Sequence, residues 1–187
     1  MSFIQMVPES EATGQLAEFY RRLAYQDGSV DEAYKALSLH PALLAADAAM
    51  YDTTMYGESP LSRVERELLA LTVSRLNGCE RCLRHHAARY ESLKAGPEPS
   101  RPGPGRFNAA VSDREGALVA FAERLTRQPG AVTSADIDVL RRAGLNDRAI
   151  LDACNIVAYF NYANRMTLGL GLRPATVDPG MRPDRGT

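Results

Sequence analysis

The sequence predicts an all-α protein, and three observations carry that prediction. Apolar residues recur three and four apart in one segment after another, as at Leu16, Phe19, Tyr20 and Leu23, which is the stripe of a helix face. Two segments open on the spacing of a capping box, Ser62 with Glu65 and Ser112 with Glu115, where a hydroxyl satisfies a free amide and a glutamate reaches back. No stretch alternates apolar and polar residues as a half-buried strand does.

Residues 1–10 read as an extended lead-in around Pro8. The first helix is expected to start near Glu11 or Thr13, and Asp27, Gly28 and Ser29 break it. A shorter helix carries Val30, Tyr34 and Leu37 up to His40, where the following Pro41 disfavours helical backbone. Pro41 suits the first turn of the next helix, through Leu43, Leu44, Ala48 and Tyr51 to Met55, with Gly57 as its stop. From Ser62 a helix runs through Leu68, Leu69, Leu71, Val73 and Leu76 to Asn77 and Gly78. Its successor begins at about Cys79 and runs to Lys94, so the two form a central antiparallel pair with a CxxC at the start of the second. Residues 96–106 hold four prolines and three glycines and read as a long loop. The helix from Ser112 carries Leu118, Phe121, Ala122 and Leu125; Thr133 or Ser134 caps another that ends at Gly144. Asn146 caps the last long helix, through Ile150, Cys154, Val157 and Phe160 to about Leu168. Being apolar on most sides, that helix is the expected centre of the core. The result is one helical domain over 1–172 and a proline- and charge-rich tail over 173–187.

The totals exclude several classes. A net charge of −1 gives no electrostatic reason for nucleic acid or an anionic membrane surface as partner. Three cysteines, two of them neighbours and Cys154 remote, are not a disulfide framework and suit a reducing compartment. The first ten residues lack the basic and apolar regions of a signal peptide, and no apolar run approaches the roughly 20 residues of a membrane helix. The expectation is a cytoplasmic protein.

The chemistry centres on Cys79, Cys82 and His86. At about 100° per helical residue these three fall within about 60° of one another, with His85 turned to the side. Unpaired amides and a partial positive charge at the helix start favour thiolate, and an imidazole one turn on can take a proton. Glu67 is the fourth candidate. From Glu67 to Asn77 is about 15 Å of rise and from Cys79 to His86 about 10 Å, so an antiparallel pair brings carboxylate and imidazole within about a turn. There the carboxylate would orient the ring.

Plainer readings stand beside these. A CxxC is also half a zinc site, but structural zinc takes four ligands, and neither Cys154 nor the histidines have partner spacing; no metal and no cofactor is expected. The two cysteines could be inert core residues. Glu67 could be an ion pair with Arg63. Cys154 reads as core and His40 as structural, while Asn161, Asn164 and Arg165, late in an apolar helix, need partners at an interface or a site wall.

At Glu67-x11-Cys79-x2-Cys82-x3-His86 the chain resembles the AhpD-like, carboxymuconolactone decarboxylase superfamily, and most of all the branch called peroxidase-related enzymes. Residues 7–14, 36–41 and 157–171 support the likeness, which covers nearly the whole chain. The resemblance implies an all-helical AhpD-like fold and homo-oligomers (dimers, trimers or hexamers). It also implies an alkylhydroperoxidase in which Cys82 attacks a peroxide and becomes sulfenic acid, Cys79 donates a proton and closes the disulfide, and His86 with Glu67 relays protons. An external thiol would restore the dithiol. One position departs: well-known peroxidase members have histidine directly before the second cysteine, where this chain has Arg81, which keeps the site electropositive but relays no proton. The alternatives are a dithiol-disulfide oxidoreductase with little peroxidase activity, a cofactor-free carboxymuconolactone-type decarboxylase, for which no dithiol is needed, and a helical module without catalysis.

Overall fold

The computed structural model describes residues 2–95 and 112–174. Among them are eight α-helices and no strand: α1 (Gly14–Leu23), α2 (Glu32–Lys35), α3 (Pro41–Tyr56), α4 (Arg63–Leu76), α5 (Glu80–Ala95), α6 (Asp113–Arg127), α7 (Ser134–Arg142) and α8 (Asp147–Gly169). The expected loop over 96–106 and residues 175–187 of the tail lie outside the described residues. Among the described residues no helix is long and apolar enough to cross a membrane.

The caps explain most of the boundaries. Both predicted capping boxes form: Ser62 Oγ accepts from the Glu65 amide while Glu65 Oε2 accepts from the Ser62 amide, and Ser112 pairs with Glu115 in the same way. Asn146 Oδ1 accepts from the Ala149 amide at 2.8 Å to start α8. His40, expected to be structural, caps α3, its imidazole Nδ1 accepting from the Leu43 amide at 3.2 Å. Glu9–Glu11 forms a separate 3₁₀ turn, and α1 begins at Gly14 with Thr13 as its N-cap residue, the later of the two expected starts. The next start differs from expectation. The segment after Val30 holds only the single helical turn α2, capped by Asp31, before turns carry the chain to Pro41.

The centre of the core is α4, not α8. Every residue from Glu65 to Ser74 is buried, because α5, α6 and α8 all pack against this helix. Leu69, Ala70 and Val73 of α4 meet Leu118, Phe121 and Ala122 of α6 and Ala153, Ile156, Val157 and Phe160 of α8. At about 1.5–3 kcal/mol for each large apolar side chain taken from water, this cluster is the main source of stability. By contrast α8 leaves Leu151 64 % exposed, along with Ala158 and Leu168, so only part of it is interior. Cys154, expected in the core, is half-buried at its edge. A second cluster, Leu16, Tyr20, Leu23, Val30, Leu37 and Leu44, joins α1 to α3.

Candidate functional site

The turn between α4 and α5 places the two thiols. Gly78 has φ +66°, a left-handed conformation that costs glycine least. Its amide bonds to the Arg75 carbonyl at 3.2 Å and the Cys79 amide to the Ser74 carbonyl at 3.0 Å, the paired bonds of a Schellman motif. The Cys79 carbonyl in turn accepts from the Leu83 amide at 2.8 Å, so Cys79 is both the end of one helix's cap and the start of the next. Asn77 clamps this turn to α8: its Nδ2 donates to Asn161 Oδ1 and Asn164 Oδ1, each at 3.1 Å. Asn164, wholly buried, also donates to Ser74 Oγ at 3.2 Å. The late asparagines of α8 are therefore partnered inside the fold, as buried amides must be.

Cys79 and Cys82 lie with their sulfurs 2.6 Å apart. Only Cys82 lines the cavity described below; Cys79 is 1 % exposed behind it. The hydrogen bond shared with Cys82 brings the Cys79 thiol down to about 7, against opposition from burial. That same bond, followed by burial, pushes Cys82 up. The pair thus gives up one proton near neutrality and holds the other. Thr167 Oγ1 stands 3.8 Å from the Cys82 sulfur.

Glu67 and His86 meet as the antiparallel helix arithmetic requires. Glu67 Oε2 is 2.7 Å from His86 Nδ1, and Arg63 reaches Glu67 Oε1 at 3.3 Å. Glu67 is fully buried and His86 is 4 % exposed. Burial pushes the Glu67 carboxyl up, but the His86 hydrogen bond and the charges of His86, Arg63 and Arg89 outweigh it and hold the carboxyl below its ordinary value. An ionised carboxylate only accepts, so the Nδ1 proton belongs to His86 and Nε2 is the ring atom left for proton transfer. Phe160 packs edge-on against the imidazole at 4.6 Å and fixes its plane. The ion pair with Arg63 and the pairing with His86 coexist on one carboxylate.

A cavity of about 410 Å³ opens in front of Cys82, with His85, His86, Thr167, Phe160 and Tyr51 among its lining residues. One finding here differs from the sequence reading. His85, placed to the side by helix angles alone, also lines the cavity, because α2, α3 and α8 close over more of α5 than the thiol face. Arg81 pairs with Asp31 at 2.7 Å and Glu32 at 3.5 Å and donates to the Arg173 carbonyl, tying α5 to α2, while its charge helps to lower the Cys79 thiol, as expected of an electropositive residue there. Sequence signals for the remaining lining were absent, since tyrosines at helical spacing read as core. Among the described residues no group of three His, Cys, Asp or Glu side chains converges as metal ligands.

His85 supplies a prediction. Burial first, then the charges of His86 and Arg89, bring it down to about 4, with Asp31 and Glu67 opposing. The unfolded chain binds this proton below about 6.5 and the native state does so only below about 4, so the native state loses stability as pH falls between those values. The loss is at most about 3 kcal/mol and shrinks in His85→Gln. Urea unfolding at stepped pH measures it, and imidazole NMR should show one ring that stays neutral to about pH 5.

The comparisons with known proteins agree with the all-helical fold. Residues 41–99 match the carboxymuconolactone decarboxylase family. The chain is similar to an uncharacterized peroxidase-related protein from Silicibacter sp. TM1040, at 30 % identity and TM-score 0.76, covering 94 % of this chain and 96 % of that one. A peroxidase-related protein with an alkylhydroperoxidase AhpD core from Ralstonia eutropha JMP134 shares the fold at 22 % identity and TM-score 0.71, over 92 % and 95 % of the two chains. So does the debrominase Bmp8, solved as a C82A variant with 2,3,4-tribromopyrrole, at 19 % identity and TM-score 0.68, over 94 % and 95 %. No curated protein matches.

Proposed function

The chain belongs to the AhpD-like, carboxymuconolactone decarboxylase superfamily, and from that premise we propose that it is a cysteine-based peroxidase that cycles between dithiol and disulfide. The observation that carries this reading is the asymmetry of the pair: Cys82 opens on the cavity, and the buried Cys79 sulfur waits 2.6 Å behind it.

The Cys82 proton moves to the Cys79 thiolate along the hydrogen bond that joins them. The Cys82 sulfur then attacks the outer oxygen of a hydroperoxide, the O–O bond breaks, and Cys82 becomes sulfenic acid. The departing alkoxide takes the proton back from Cys79 and leaves as an alcohol. Cys79 thiolate attacks the Cys82 sulfur, the S–O bond breaks, and the hydroxide leaves as water with a proton that Nε2 of His86 has first accepted from solvent. An external thiol donor returns two electrons and two protons to the disulfide. Glu67 keeps the His86 ring in the tautomer that this relay uses.

Cavity size favours a second reading, in which the same dithiol reduces an organic acceptor other than peroxide, such as a small disulfide. A debrominase of like fold is held with a brominated pyrrole, which is likewise larger than a simple peroxide. One experiment tests both. The reduced protein receives one equivalent of cumene hydroperoxide or of a small-molecule disulfide, and free thiols and intact mass are followed with time. The peroxidase reading expects two thiols lost per peroxide, a mass lower by two hydrogens, and a slower reaction with the disulfide. Thiols that ignore peroxide but react fast with the disulfide would move the function to the second reading.

A further inference from the structure

The cavity is far larger than the site of a small peroxide needs, and its walls are specific. Six of the chain's eight tyrosines line it, with the thiol on one wall. On another wall Asp47 of α3 is half-buried among them, one helical turn before Tyr51. Tyr159 donates to Asp47 Oδ1 at 3.3 Å. The Tyr159 ring lies 6.1 Å from Tyr51 and 6.1 Å from Tyr162, so the tyrosine that bonds to Asp47 is the middle one of three neighbouring rings.

The charges are arranged unevenly. Asp31, elsewhere on the wall, is neutralised by Arg81. Among the described residues no cationic side chain forms an ion pair with Asp47. The arginines on the wall, Arg81, Arg84 and Arg89, all belong to α5, and the charge of Arg89 reaches Tyr51. A half-buried carboxylate on a tyrosine-lined wall, with no ion pair among the described residues, suits a cationic partner. Ring faces attract cations, and the fold already uses that attraction at Tyr56, over which the Arg63 guanidinium sits at 4.0 Å.

We infer that the end of the cavity formed by Asp47, Tyr51, Tyr159 and Tyr162 binds a protonated amine, so that the molecule presented to Cys82 is an organic ammonium compound with an apolar body. The inference names a substrate class for the redox site proposed above and rests on that reading for its chemistry, but its test is a binding measurement that needs no turnover.

The test uses 2-phenylethylammonium, 2-phenylethanol and phenylacetate, which share size and ring and differ in charge. Calorimetry on the intact reduced protein at neutral pH should find the ammonium bound at least about tenfold more tightly than the alcohol, the range of a partly desolvated cation–π and charge contact. In Asp47→Asn that preference should collapse toward unity. Tyr162→Leu is the second variant: Tyr162 is 38 % exposed, so the core survives its loss, and the ammonium should weaken several-fold more than the alcohol. Equal binding of ammonium and alcohol to the wild type overturns the inference. So does a preference that survives both variants, or tightest binding of phenylacetate, which would give the cavity to anions. An ammonium preference in a protein whose thiols ignore oxidants would leave this site standing and sink only the redox reading.

Discussion

Cys82→Ser is expected to lose hydroperoxide turnover by at least about a thousandfold, with the fold intact. A serine hydroxyl does not ionise near neutral pH, and it forms no sulfenic acid. The remaining thiol cannot take over, because Cys79 is 1 % exposed and stands behind position 82 as seen from the cavity. Cys79→Ser should behave differently: one equivalent of peroxide still oxidises Cys82, and the sulfenic acid persists long enough to be trapped by a dimedone-type reagent, but no disulfide closes and turnover stops. The titration changes as well. Wild type should release a proton near pH 7, the value to which the bond from Cys82 brings Cys79. In Cys82→Ala that donor is gone and the Cys79 thiol should rise toward the ordinary cysteine range. Ultraviolet thiolate absorbance reads this directly. Full turnover in Cys82→Ser, or a Cys79 titration unmoved by Cys82→Ala, would remove the asymmetric pair from the mechanism.

Much of this site could be read before any coordinates, and the part that could be is local. The capping boxes at Ser62 and Ser112, the break at Asn77 and Gly78, and the register of Glu67 against His86 all follow from helix geometry over short stretches of chain. What stayed hidden depends on which distant side chain meets which. The first turns of α4 carry Glu65, Arg66 and Glu67, yet all three are buried because each has a partner. Glu65 bonds to Ser62 and Arg114, Arg66 to the carbonyls of Gly57 and Leu61, and Glu67 to His86 and Arg63. A charge in a sequence looks solvated until its partner is known. The same limit explains Arg81, whose neutralisation by Asp31 spans fifty residues, and His85, whose place on the cavity wall is set by helices packed from elsewhere in the chain.

Glu67→Gln is the second substitution with a large expected effect, and it separates a catalytic arrangement from a structural one. The carboxylate only accepts a hydrogen bond from His86 Nδ1; an amide can donate to it. If it does, the imidazole proton moves to Nε2 and the atom that should relay protons is blocked. kcat/KM for hydroperoxide should fall by about 10²–10⁴, the range seen when a histidine is held in the wrong tautomer or loses general acid–base function. Stability should fall as well, because Arg63 and His86 lose the charge that they face. The pH dependence has a definite sign. The Glu67 carboxyl is held below its ordinary value of 4.5, so its stabilisation is present above that pH and is lost as pH falls through the lower native value. Glu67→Gln should lack that acid-side loss while being weaker at neutral pH. Glu67→Asp keeps the charge one methylene short and should recover part of the rate. A variant series in which melting temperature falls but kcat/KM and its pH profile stay at wild-type values would make Glu67 a packing residue. A rate that follows the charge, lost in Gln and partly restored in Asp, would make it the group that positions His86 for the chemistry of Cys82.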